Sequence, residues 1–152
     1  IDSLKYNMRS QIFAKSLPMP MVIGALKRLD ILQNQPEHKE KLWRVAKSLQ
    51  EGLVAEGFNI GNTESPVTPV YVKGNVAEGT NVVIDLRENH NIFCSLVAYP
   101  VVPKDVLMLR LIPTASHTQK EVDQTIEVFK KIKANLEAGK YKGDEMQSKS
   151  IE

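Results

Sequence analysis

Apolar residues recur at three- and four-residue intervals in several stretches of the chain and form short β-branched runs in others, and these two periods predict its elements. Residues 3–10 read as a helix end or connector with Leu4 and Met8 on one face. Pro18 and Pro20 make Phe13 to Pro20 irregular, because each removes a donor and pushes its predecessor toward extended backbone. Val22, Ala25, Leu26, Leu29 and Leu32 then predict a helix over 21–32, and Gly24 within it suggests close helix packing. Pro36 and Glu37 suit the first turn of a second helix over 36–56, with Leu42, Ala46, Leu49 and Leu53 on its apolar face and Gly57 as its stop. Residues 67–72, 92–97 and 107–112 predict strands, and 76–90 a helix with Val83 and Leu86 inward. Thr118 and Glu121 form a capping box that opens a helix carrying Val122, Ile126, Phe129, Ile132 and Leu136 on one face. Beyond Gly139 the chain turns polar and lysine-rich, as a solvated tail would.

Three strands among long helices predict an α+β fold, a small three-stranded, mostly antiparallel sheet with helices packed on one face. The 152 residues can bury a core, and 42% hydrophobic content is ordinary for a soluble domain. A net charge of +2, with lysines spread over helix faces, gives no nucleic-acid footprint. No apolar run approaches the ~20 residues of a membrane span, and no export leader is visible. The single cysteine, Cys94, excludes an internal disulfide and fits a reducing, cytoplasmic setting. Between Phe93 and Leu96 it reads as a buried strand residue. His38 and His90 have no carboxylate, Cys or His at ligand spacing, so no metal site is expected.

One position breaks the pattern. Arg110 stands inside the apolar run Val106 to Ile112, which otherwise reads as a buried strand. A guanidinium there is costly unless an anion meets it, and its planar fork suits a carboxylate. Either a local Asp or Glu supplies that anion, as a structural ion pair, or a ligand does.

The residues around Arg110 carry a resemblance. Tyr99-Pro-Val-Val-Pro-Lys104, Leu109-Arg110 and Thr114-Ala-Ser-His-Thr118 are similar to the C-terminal domain of the α-oxoamine synthases. So is Arg9-Ser-Gln-Ile-Phe-Ala-Lys-Ser-Leu-Pro18. Gly24-Ala-Leu-Lys-Arg-Leu29 and the Gly52 and Gly57 region fall at the family's spacing, and the likeness covers roughly residues 1–137. These pyridoxal-phosphate enzymes condense an amino acid with an acyl-CoA, most of them with loss of carbon dioxide. The first block looks most like bacterial serine palmitoyltransferases, which implies L-serine and palmitoyl-CoA as substrates in sphingolipid synthesis. The proline loop is shared with 2-amino-3-ketobutyrate CoA ligase, and 8-amino-7-oxononanoate synthase is a further alternative. A non-catalytic dimerisation or carboxylate-binding module is the competing reading from another class.

The resemblance implies that Arg110 binds the substrate's α-carboxylate and that Tyr99, Pro100 and Pro103 lie near the substrate entrance. Ala14, Lys15 and Ser16 would meet the cofactor phosphate of the other subunit in a homodimer, although Ala14 stands where the family usually has a hydroxyl. Lys104 is a conceivable contact for a CoA phosphate or a solvated lysine, and His117 reads as structural. Residues 1–35 are expected to be a connector and helix from a large domain or dimer interface, 36–138 the C-terminal domain and 139–152 the tail. The family's Schiff-base lysine has no counterpart here, so this stretch is expected to be a piece of a longer protein and inactive alone.

Overall fold

The structure, a computed structural model, describes residues 1–12 and 14–142. The chain divides into two compact units, Ile1–Glu37 and His38–Glu152. Of the expected tail, residues 143–152 lie outside the described residues.

In the first unit, α1 (Asp2–Asn7) and α2 (Arg9–Ile12) precede an irregular stretch over 14–18 and then α3 (Met19–Asn34). The predicted helix forms, with Pro20 accepted in its first turn, but none of its residues is buried. Gly24 shows no close packing: a β-carbon there would meet only the Arg28 side chain, at 3.6 Å. Leu26, Leu29 and Leu32 leave an exposed apolar stripe.

The second unit holds the core. It contains α4 (Pro36–Ala55, whose first residues belong to the first unit), β1 (Thr68–Lys73), α5 (Val76–His90), β2 (Ser95–Val97), β3 (Val106–Leu111) and α6 (Gln119–Glu137). The strands lie in the order β1-β3-β2, and both pairings are antiparallel. Leu49 and Leu53 of α4, Val82 and Leu86 of α5, and Val122, Phe129 and Ile132 of α6 share one core cluster with Val70, Leu109 and Leu111 of the sheet. The helices therefore cover one face of a small antiparallel sheet, the expected α+β fold. Phe58 packs edge-on against Phe129, with ring centroids 5.7 Å apart.

Local chemistry sets the boundaries. Gly57, at φ +75°, ends α4: the Phe58 N–H reaches back to the Leu53 carbonyl at 3.0 Å, which a left-handed residue makes geometrically accessible. Thr118 and Glu121 close the predicted capping box on α6. A second box, Asn75 with Glu78, opens α5.

Three expectations need correction. Of the strand predicted over 92–97, only Ser95–Val97 joins the sheet. Tyr141, placed by its polar neighbours in the solvated tail, is buried, because its ring reaches back to α5 and α6. Arg110, expected to be buried, is exposed. Along β3 the side chains alternate, so Leu107, Leu109 and Leu111 enter the core while Val106, Met108 and Arg110 point to the opposite face. A run that is apolar at both parities implies burial on both sides, but in this unit helices cover only one.

Candidate functional site

Arg110 lies on the open face of the sheet, in register with Pro69 on β1 and Ser95 on β2. Directly opposed residues of antiparallel strands project from the same face, so these three form a row across it. The next row is Tyr71, Met108 and Val97. All six are half-buried or exposed, and none is acidic. Among the described residues Arg110 makes no ion pair and no side-chain hydrogen bond. The local carboxylate that would have made it a structural pair is therefore not found there.

Arg110 and Ser95 both line a cavity of about 610 Å³ that runs between the end of β3, the segment 90–95, α4 and the start of α6. Its walls are mixed. Val45, Leu49, Ile92 and Leu111 supply apolar surface, and His90, His117 and Glu121 supply polar groups. Glu121 is occupied by the cap: its Oε2 accepts from the Thr118 N–H at 2.7 Å and from the Thr118 hydroxyl at 2.8 Å. The backbone hydrogen bond first, then that from the hydroxyl, lowers its pKa below the ordinary value. His117 is tied down as well, its Nδ1 accepting the Thr114 N–H at 2.9 Å, which places the neutral ring's proton on Nε2. That bond gives His117 a role in shaping the turn before α6. Cys94 is buried, and desolvation pushes its thiol up to about 11, so it is no nucleophile near neutral pH.

The proline loop lies elsewhere. Residues 98–105 close the hairpin between β2 and β3, with a cis peptide before Pro100. Tyr99, Pro100 and Pro103 are exposed, and Lys104 sits over the Tyr99 ring, 5.4 Å from its centroid. Tyr99 lies beyond the end of β2 at Val97, in the connection to β3, whereas Ser95 is the first residue of β2. Within this unit, then, Arg110 and the loop lie at opposite ends of the hairpin, and the loop residues do not line the cavity that Arg110 lines. Ala14, Lys15 and Ser16 belong to the irregular stretch of the first unit and are all exposed. Among the described residues Lys15 forms no ion pair. An ammonium next to a hydroxyl is a donor set that fits a phosphate, and Ala14 can add only its backbone N–H. Sequence reasoning missed Ser95: pairing the predicted strands 92–97 and 107–112 end to end sets Cys94 opposite Arg110, and only the observed register brings Ser95 there.

Among the described residues no cluster of His, Cys, Asp or Glu could hold a metal ion, and no helix is long and apolar enough to cross a membrane.

Comparison with known proteins bears on this geometry. Residues 1–129 match the family model of aminotransferase class I and II. The cysteate-C-fatty acyltransferase of Capnocytophaga ochracea is 53% identical over 93% of this chain and 34% of its own length. The serine palmitoyltransferase of Sphingobacterium spiritivorum is 35% identical over 84% of the chain and 31% of its own length. The 8-amino-7-oxononanoate synthase of Alkaliphilus oremlandii is 34% identical over 86% and 33%. The chain thus spans about a third of the length of these relatives. Among solved structures, the serine palmitoyltransferase of Sphingomonas wittichii superposes with a TM-score of 0.76 at 22% identity, over 90% of this chain and 34% of that one. An 8-amino-7-oxononanoate synthase from Francisella tularensis gives 0.73 at 22% identity, over 90% and 39%. At these identities the structural likeness shows the fold, and the fold is that of the C-terminal domain of such pyridoxal-phosphate enzymes. The chain belongs to the aminotransferase class I and II family, among its acyl-transferring α-oxoamine synthases.

Proposed function

We propose that this chain is the C-terminal part of a pyridoxal-phosphate-dependent acyltransferase that joins cysteate to a fatty acyl-CoA with loss of carbon dioxide. The observation that carries this reading is the Arg110 guanidinium, which stands on an open sheet face beside a cavity and, among the described residues, pairs with no carboxylate. Identity of 53% to a cysteate-C-fatty acyltransferase, against 35% to a serine palmitoyltransferase, favours cysteate as the amino acid. L-serine with palmitoyl-CoA is the second reading, supported by that 35% relative and by the similarity of the fold to serine palmitoyltransferase structures.

Pyridoxal phosphate, when bound, supplies the electron sink for breaking bonds at the amino acid's α-carbon. This chain's contribution is placement. Arg110 holds the α-carboxylate through two parallel hydrogen bonds and so fixes the direction of the bonds at the α-carbon, an orientation effect that can contribute several kcal/mol to catalysis. Lys15 and Ser16 meet the cofactor phosphate. Tyr99, Pro100 and Pro103 form a stiff margin for the acyl donor, with Lys104 available to a CoA phosphate. The exposed apolar stripe of α3 suits an interface with further protein, consistent with a homodimer, and the whole enzyme acts in the cytoplasm. Residues 1–35 join the larger domain, 36–138 form the C-terminal domain, and the chain alone is inactive.

The test uses full-length protein. Supplied with pyridoxal phosphate it should absorb visible light, and cysteate should change that spectrum and support release of CoA from a fatty acyl-CoA. Arg110→Ala should weaken cysteate binding roughly tenfold or more, and Arg110→Lys should restore little, because it keeps the charge without the fork. Turnover with serine and none with cysteate would favour the second reading. Response to neither amino acid would discard both.

A further inference from the structure

We infer that Ser95 is a second substrate-binding residue, its hydroxyl donating to the same amino-acid carboxylate that Arg110 holds. The inference rests on the proposed function and deepens its site. Ser95 and Arg110 are directly opposed residues of β2 and β3. In such a pair the β-carbons lie about 4.5–5.5 Å apart and project from one face. Both residues also line the 610 Å³ cavity.

Neither side chain is otherwise committed. Among the described residues the Ser95 hydroxyl and the Arg110 guanidinium have no hydrogen-bond partner, whereas the nearby Thr118, Glu121 and His117 are all bonded. Among the described residues the rest of the open face offers no donor directly opposed to Arg110. Pro69, on the other flank of Arg110, has no donor. Met108 and Val97 are apolar. Tyr71 is a diagonal neighbour, one row removed, and Lys73 is four positions along β1 from Pro69, about 13 Å away. Among the described residues, Ser95 is the polar residue directly opposed to Arg110 on the strand surface.

The two donors are physically complementary. Arginine reaches its anion through a long side chain, and its fork sets the plane of the carboxylate through two parallel hydrogen bonds. Serine has one side-chain rotor on a strand held at Ser95, Leu96 and Val97 by pairing with β3. A carboxylate with two oxygens has lone pairs left after a bidentate guanidinium contact, so the hydroxyl adds a bond without displacing one. The half-buried setting of Ser95 strengthens that bond relative to one in open water. The added contact ties the carboxylate to the strand itself, so that the Arg110 side chain and its anion shift less as a unit.

The experiment measures amino-acid binding by calorimetry to full-length, cofactor-loaded wild type, Ser95→Ala and Ser95→Thr, with cysteate, serine and alanine as probes. These amino acids share the α-carboxylate and differ in the side chain. Ser95→Ala should bind all three roughly tenfold more weakly, while the KM for the acyl donor stays unchanged and Ser95→Thr recovers most of the loss. Should Ser95→Ala lower the melting temperature, Ser95→Cys, nearly the same size but a poor donor, gives the same comparison. Equal affinities in wild type and Ser95→Ala overturn this assignment alone. Weakened binding confined to cysteate also overturns it, since the hydroxyl would then meet the sulfonate. A wild type that binds none of the three removes the proposed function together with this inference.

Discussion

Tyr141 donates a hydrogen bond to Asp85 at 2.5 Å, joining the segment after α6 to the middle of α5. Asn135 donates to the same phenolic oxygen at 3.3 Å, and Asn81 to the Tyr141 carbonyl at 3.1 Å. The ring is buried, and burial first, then the hydrogen bond to Asp85, raises the phenol above its ordinary pKa of 10.0. A raised acid contributes stability that is complete below the unfolded value and is lost as the pH climbs toward the folded one. Stability of the protein should therefore be flat up to about pH 10 on this account and fall beyond it. Tyr141→Phe should cost about 1–3 kcal/mol near neutrality, the loss of one hydrogen bond to a charged group, and lack that alkaline decline. Denaturant unfolding of both proteins from pH 7 to 11 checks this: the two curves converge as the pH rises. Parallel curves would show that the Tyr141 hydroxyl does not titrate with unfolding.

Gly79 is the point at which α5 meets the sheet. A β-carbon there would lie 2.8 Å from Leu107 Cδ1 and 2.9 Å from Leu96 Cδ1. Leu107 is itself buried in the core, so it has little room to yield. Gly79→Ala should gain up to ~1 kcal/mol of helix propensity and lose more to overpacking, for a net destabilisation of about 1–2 kcal/mol. Gly24→Ala, with only the Arg28 side chain at 3.6 Å, should show the propensity gain unopposed. Opposite signs for these two substitutions in one unfolding series are the expected result.

Much of this architecture was legible because the deciding signals are local. Pro36, Gly57 and the Thr118–Glu121 box act within one turn of the backbone, and the structure places helix ends at each of them. The Asn75–Glu78 box was written in the same code and was overlooked. Arg110 shows where locality ends. Its row on the sheet depends on which face the helices cover, and β3 is apolar at both parities, so the pattern alone could not say that one side stays open. Tyr141 failed for the converse reason. Its lysine and glycine neighbours look solvated, and only Asp85 and Asn81, 56 and 60 residues earlier in sequence, explain why it turns inward. For the candidate site, the arginine stood out as an anomaly, whereas Ser95 acquires meaning only through register.

Cys94 offers a measure of opening of the core. Its thiol is buried and pushed up to about 11 by desolvation, and it lies in the same core cluster as Leu86 and Leu109. At pH 8 both the scarcity of thiolate and the lack of access slow reaction with a thiol reagent. Alkylation in native buffer should be slow and should accelerate steeply with denaturant, in step with unfolding followed by circular dichroism. Rapid modification of the folded protein would mean that the cavity wall at Cys94 opens without global unfolding.

The cap of α6 gives the last prediction, at the acid end. Glu121 accepts two hydrogen bonds from Thr118, and these lower its pKa beneath the ordinary 4.5. A carboxylate with a depressed folded value contributes stability that is present above its unfolded pKa and disappears as the pH falls through the folded one. Glu121→Gln keeps an oxygen that can accept from the Thr118 N–H but has no charge to lose. The stability difference between wild type and Glu121→Gln should thus be constant above about pH 5 and shrink as the pH drops below 4.5. Thr118→Ala removes the hydroxyl that caps the helix and should cost about 1 kcal/mol at neutral pH. Because His117 is held by Thr114 in the turn just before this cap, weakening the cap should also loosen that wall of the cavity. The readout is hydrogen exchange: amide protection over 114–121 should fall in Thr118→Ala while protection at Leu109 and Leu111 in β3 is retained. A uniform loss across both regions would instead make the cap a determinant of global stability alone.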